Sequence, residues 1–125
     1  MPYGYRWGAW RRWTKTGWHR IRRATAVRRF VQRGRRGWCD EDLWNFDHHI
    51  SRVIIGGFRQ LADTTHGWPG TEEFPKFEDW QAFLRQIADD LESWDLNNSF
   101  ADRDAFDRAK AAMRRVAEQY GHYWD

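Results

Sequence analysis

Arginine forks bind phosphate oxygens in pairs, and the flat faces of tryptophan and tyrosine stack on bases. The start of this chain interleaves the two: Arg6, Trp7, Trp10, Arg11, Arg12, Trp13, Lys15, Arg20, Arg22 and Arg23, with Arg29, Arg33 and Arg36 further on. These are the candidate ligand-binding residues, and the ligand their chemistry points to is rich in phosphate, either nucleic acid or a nucleotide. Two other roles compete for the same side chains. Trp, Tyr and Arg are also the preferred hot-spot residues of protein–protein interfaces. A basic, tryptophan-rich segment can also lie on an anionic membrane surface. Gly4 and Gly8 make that membrane helix a poor one, so membrane ranks below phosphate. Part of the aromatic content belongs in a core: Trp18 and at least one of Trp7 and Trp10 are expected to be buried.

A second group is Asp40, Asp42, Asp47, His48 and His49, with His66 further along. Carboxylates and imidazoles ligate metals, yet the chain has no His-Glu-x-x-His and no Cys-x-x-Cys, so no metal or other cofactor is assigned. The simpler reading makes Asp40 and Asp42 acids at a helix start, with Asp47 a buried carboxylate on the apolar stripe, paired with an arginine from 33, 35 or 36 or with a tryptophan N–H. Trp44 joins these three as a structural residue. Cys39 is a conceivable nucleophile beside arginines and a helix start. No nucleophile elbow, phosphate-cradling loop or kinase signature accompanies it, and the expectation is a binding protein, not an enzyme.

Charge divides the chain. Residues 1–38 hold twelve Lys or Arg and no Asp or Glu. The remaining residues hold nine basic and eighteen acidic side chains, a balance of −9 that brings the whole to the net +3. Such asymmetry is the usual footprint of a phosphate or anionic partner, although the basic segment can also lie on its own acidic body. The expected organisation is a basic aromatic arm and first helix over 1–38, then an acidic helical body over 39–125, forming one domain. The single cysteine excludes an internal disulfide and fits a reducing compartment. No apolar run approaches the roughly 18 residues of a membrane span, and the basic start lacks the apolar block of a secretory signal. The expected location is cytoplasmic.

The elements that must position these groups read as helices. Trp18, Ile21, Ala24, Val27 and Val31 make one stripe, until Gly34-Arg-Arg-Gly37 breaks the helix. A second helix starts near Asp40 with the stripe Leu43, Asp47, Ile50, Ile54, Gly57, Phe58 and Leu61. Its mid-helix Gly56-Gly57 predicts a close crossing or a kink. After a loop at 63–70, a third helix over about 76–96 carries Trp80, Leu84, Ile87, Leu91 and Trp94. Ser99 or Asp102 caps a fourth, with Phe106, Ala109, Met113, Val116 and Tyr120, ending at Gly121. The fold class is all-α, a bundle of about four helices with a basic, Trp-rich N-terminal arm.

The run Arg36-Gly-Trp-Cys-Asp-Glu-Asp-Leu-Trp-Asn-Phe-Asp-His-His-Ile50, the loop His66-Gly-Trp-Pro69 and the segment Glu78-Asp-Trp-Gln-Ala-Phe-Leu84 together resemble a widespread family of small uncharacterised phage and prophage proteins. The likeness covers roughly residues 30–90. Trp68 stands where Tyr is commoner, and Cys39 where Ser is commoner. The resemblance implies a phage-encoded protein acting inside an infected bacterium. Combined with the basic arm, it leads to an accessory protein that binds nucleic acid, or sequesters a nucleotide signal in counter-defence. The alternatives are an inhibitor or adaptor docking on a host or defence protein, and a minor virion component. A homo-oligomer would supply the concavity a small ligand needs.

Overall fold

The computed structural model describes residues 22–97 and 102–125, and among them the chain is all-α, with four helices and no strand. Trp7, Trp10, Trp13 and Trp18, the basic residues from Arg6 to Arg20, Ile21 and Ser99 lie outside the described residues. Helix α1 covers residues 22–36. It runs through Gly34 and stops at Gly37, whose φ of 89° is the left-handed conformation that glycine adopts without a Cβ clash. The Gly37 N–H closes the end by donating to the Arg33 carbonyl at 2.9 Å.

The second helix does not begin as an α-helix at Asp40. Asp40–Asn45 is a 3-10 segment, and α2 proper spans Phe46–Thr64. Cys39 precedes the segment in extended conformation, with its N–H held by the Asp42 carboxylate at 2.8 Å. Helix α3 spans Phe77–Asn97 and α4 spans Arg103–Glu118. Asp102 caps α4, accepting from the Ala105 N–H at 3.0 Å. Among the described residues no helix is long and apolar enough to cross a membrane.

The chain divides into two compact units between Phe46 and Asp47. The charge boundary at residue 38 is therefore not the structural one. Asp40, Glu41 and Asp42 belong with the arginines, because they pair with them.

In the second unit α2 and α3 run antiparallel, joined by ion pairs whose numbering falls on one helix as it rises on the other. Arg52 meets Asp95 at 3.2 Å, Arg59 meets Asp89 at 3.1 Å and also Glu92, and Asp63 meets Arg85 at 2.9 Å. The core gathers on α3, where Trp80, Leu84, Ile87, Leu91 and Trp94 are all buried in the predicted 3-4 spacing, with Phe83 and Ala88 beside them. Helix α4 packs closely against α3 because its buried face is alanine, at 105, 109 and 112. Phe106, Met113 and Val116 lie at the edge of that face.

Three expectations about packing fail. Tyr120 is 86% exposed, because α4 ends at Glu118 and the chain reverses through Gly121 at φ 100°. Tyr123 takes the core place instead, with its ring centroid 4.8 Å from Phe58 and 5.6 Å from Trp80. A Cβ built on Gly56 or Gly57 meets nothing within 4 Å among the described residues, so no close crossing requires the pair. On α2 the buried residues are Ser51, Phe58 and Ala62, while Leu43 and Ile50 of the expected stripe are exposed. The loop after α2 does make a close approach elsewhere: Trp124 lies against Gly67, where a Cβ would sit 3.2 Å from the indole.

Candidate functional site

The arginines of α1 are organised by the three acids of the 3-10 segment. Arg33 makes a two-pronged contact with Asp42, Nε to Oδ2 at 3.0 Å and Nη2 to Oδ1 at 2.7 Å. Arg28 reaches Asp40 at 3.1 Å and also Glu41, and Arg29 lies 3.7 Å from Glu41. Arg36 pairs with Asp40, donates from Nε to the Trp38 carbonyl at 3.0 Å, and lies over the Trp38 ring at 5.4 Å. Gln32 completes the set in both directions: its amide donates to Asp40 at 2.8 Å and its carbonyl accepts the Asp40 N–H at 2.9 Å.

These contacts move the acids' ionisation in one direction. Asp42 falls well below the ordinary carboxylate value because of the Arg33 fork and, next, the Cys39 N–H. Asp40 is lowered by Arg36 and then Gln32, and Glu41 chiefly by its own backbone N–H. Arg33 is raised in turn by Asp42. Asp40 and Asp42 thus hold α1 to the segment that follows it.

The two other structural assignments change. Asp47 is an exposed residue in the first turn of α2, and its carboxylate accepts the N–H of His48 at 2.9 Å, so it is not a buried charge seeking an arginine. Arg33 and Arg36, expected to satisfy it, are engaged by Asp42 and Asp40. Trp44 is 88% exposed and holds nothing together. The remaining candidate metal ligands scatter. His48 Nδ1 lies 2.9 Å from the Asp95 carboxylate with its ring 4.2 Å from Trp94, and His66 meets Asp125 at 3.2 Å. Among the described residues no three His, Cys, Asp or Glu side chains converge. Cys39 is fully buried, where no substrate reaches the thiol.

Helical spacing shows what the network leaves outside. At about 100° per residue, Arg28, Gln32, Arg36, Arg29 and Arg33 share one face of α1. Ala24, Val27, Phe30 and Val31 occupy the opposite face. The stripe was expected to pack inward, yet Val27 is 62% and Phe30 79% exposed, with Val31 also open. The fold turns the polar face toward the 3-10 acids, because five hydrogen-bonding side chains there find partners. On the same wheel Arg23 falls between Phe30 and Val27 and Arg35 lies just beyond Ala24; neither these nor Arg22 enters an ion pair among the described residues. Of the candidate ligand-binding residues described, Arg22 and Arg23 stay open, whereas Arg29, Arg33 and Arg36 are taken up internally.

Phe30 is the residue the sequence reading passed over. Its signal was present: it lies three positions after Val27 and one before Val31, on the side of the helix opposite Arg28 and Gln32. Exposed Leu43 and Trp44, with Asp40 and Glu41, border a shallow depression on the same unit. The surface is thus an apolar helical face that carries Arg23 and is bordered by Arg35, neither paired with a carboxylate among the described residues, with further apolar residues on the 3-10 segment. No family model, curated protein or solved structure matches the chain.

Proposed function

We propose that the chain is a non-enzymatic binding protein whose α1 face docks into an apolar groove with an acidic rim on another protein. This is the inhibitor or adaptor reading, and for a phage-encoded chain the partner would be a host or defence protein. The observation that carries it is the outward apolar face of α1: Val27, Phe30 and Val31 are exposed while the helix's polar side is occupied. An amphipathic helix offering residues at i, i+3 and i+4 is the standard ligand of a hydrophobic groove. Arg23 on that face and Arg35 beside it would favour carboxylates at the groove and speed the encounter.

A second reading keeps a phosphate-rich ligand. It is supported by the absence of acids through residue 38 and by the open Arg22 and Arg23. It is weakened by the pairing of Arg28, Arg29, Arg33 and Arg36, because each pair must break before its guanidinium can meet phosphate.

The test is quantitative interaction mass spectrometry in a bacterial host, run on the full chain, a Val27→Ser/Phe30→Ser variant and an Arg22→Gln/Arg23→Gln variant. In parallel, affinity for a single-stranded oligonucleotide is measured against salt. Loss of a specific polypeptide partner with the apolar variant, its far-UV spectrum unchanged, supports docking through α1. A steep fall of oligonucleotide affinity with salt, abolished by the arginine variant, supports phosphate and overturns the docking reading.

A further inference from the structure

The second unit contains a cavity of about 530 Å³ that none of the preceding roles uses. Its floor is Leu91 and Trp94 of α3. One wall is Ile50 of α2, and the other is the Ala109, Met113 and Ala117 row of α4. The volume falls in the range of about 300–1,000 Å³ typical of small-molecule sites. The one buried hydroxyl on the lining, Ser51, already donates to the Asp47 carbonyl at 2.9 Å, so the interior offers a ligand no unmet polar group there.

The two lips differ in charge. On α4, residues 106, 110 and 114 follow at one-turn spacing and place Lys110 and Arg114 along the opening. Lys110 Nζ lies over the Phe106 ring at 4.8 Å, which keeps its charge against the cavity edge. The arginines of α2 and α3 are neutralised: Arg52, Arg59 and Arg85 each meet a carboxylate. Among the described residues Lys110 and Arg114 meet none. The opposite lip carries Asp47.

An apolar pocket with two unneutralised cations on one lip and a carboxylate on the other is complementary to an amphipathic anion. We infer that this cavity binds an organic monoanion with an apolar body, of the fatty-carboxylate class, whose carboxylate lies at Lys110 and Arg114 and whose chain covers Leu91 and Trp94. Asp47 orients the ligand by repelling the head group from the α2 side. The site lies on a different unit from the α1 face and stands independently of that reading.

The probes are dodecanoate, dodecanol and dodecyltrimethylammonium, each kept below its micellar range and titrated calorimetrically into the full chain. Dodecanoate is expected to bind at one saturable site, roughly tenfold more tightly than the ammonium. It should shift the Trp94 indole N–H resonance. Lys110→Glu/Arg114→Glu, both at exposed positions, should reverse the order of the two charged probes while leaving the far-UV spectrum intact. Asp47→Asn should tighten dodecanoate severalfold, an effect a merely structural Asp47 would not produce. Equal affinity for all three probes, an order indifferent to the charge reversal, or no saturable binding overturns the proposal. So does self-association of the chain that Ala117→Trp breaks without any dodecanoate binding, which would assign the cavity to a second copy.

Discussion

Trp80 is fully buried, and its indole N–H has no hydrogen-bond partner among the described residues. The ring is edge-on to Phe74 at 5.0 Å and stacked on Phe83 at 5.2 Å and on Tyr123 at 5.6 Å. Replacing Trp80 with alanine removes all three aromatic contacts and leaves a cavity, a change that costs about 3–5 kcal/mol. Replacing it with phenylalanine is a different experiment. About three heavy atoms are lost, two of them carbon, and at about 0.5–1.5 kcal/mol for each small buried deletion that is a loss of roughly 1–3 kcal/mol. Against this, an unsatisfied buried donor costs about 1–3 kcal/mol, and phenylalanine removes it. The two terms offset, so Trp80→Phe should lie within about 1 kcal/mol of the parent, while Trp80→Ala falls several kcal/mol below it. Urea unfolding followed by far-UV circular dichroism measures both, with unchanged slopes confirming that native compactness is retained. A phenylalanine variant as unstable as the alanine one would refute the reasoning, because the N–H would then carry no penalty for its removal to relieve.

Gly56→Ala and Gly57→Ala should each stabilise the chain by up to about 1 kcal/mol, seen as a rise in Tm, since alanine is the better helix former and a Cβ there meets nothing within 4 Å among the described residues. A fall in Tm would reveal a close neighbour. Burial raises the Tyr123 hydroxyl to about 12, and that hydroxyl donates to the Val116 carbonyl at 2.9 Å. A folded value above the unfolded one gives stability that is complete below about pH 10 and lost as pH rises through about 12. Tyrosinate absorbance should therefore show a late-titrating component that is missing from Tyr123→Phe. Asp40, Glu41 and Asp42 carry the opposite sign. Their folded values are lowered, so the hold of the 3-10 segment on α1 is complete above the ordinary 3.8 to 4.5 and weakens as pH falls below it. The protection of the amides in residues 22–36, taken relative to their intrinsic exchange rate at each pH, should fall in that acid window, and Asp42→Asn should show the lower protection already at neutral pH.

How much of this was legible depended on whether a local pattern met a partner. The α3 stripe from Trp80 to Trp94 was read correctly because a 3-4 repeat of large apolar residues has one low-energy solution, burial along its length. The Asp102 cap likewise followed from local chemistry. The α1 stripe had the same periodicity as α3 yet faces outward, since the choice between its two faces was made by Asp40, Glu41 and Asp42, which lie beyond the helix itself. Asp47 was misread for the related reason that position on a helical wheel does not say where the helix begins. Tyr120 and Tyr123 exchanged places because α4 ends at Glu118, and a repeat extrapolated past a helix end has no meaning. The cavity under Lys110 and Arg114 had no sequence signature, because it belongs to the spacing of three helices.

The single cysteine has a practical consequence. Cys39 is fully buried at the joint between α1 and the 3-10 segment, and it is the only thiol in the chain. A thiol reagent can therefore modify the folded protein only when that joint opens. With reclosing faster than modification, the ratio of labelling rates in the folded and urea-unfolded chain is the opening constant itself. The molecule thus carries its own gauge of how firmly the arginine–carboxylate network holds, readable one sulfur at a time without any engineered label.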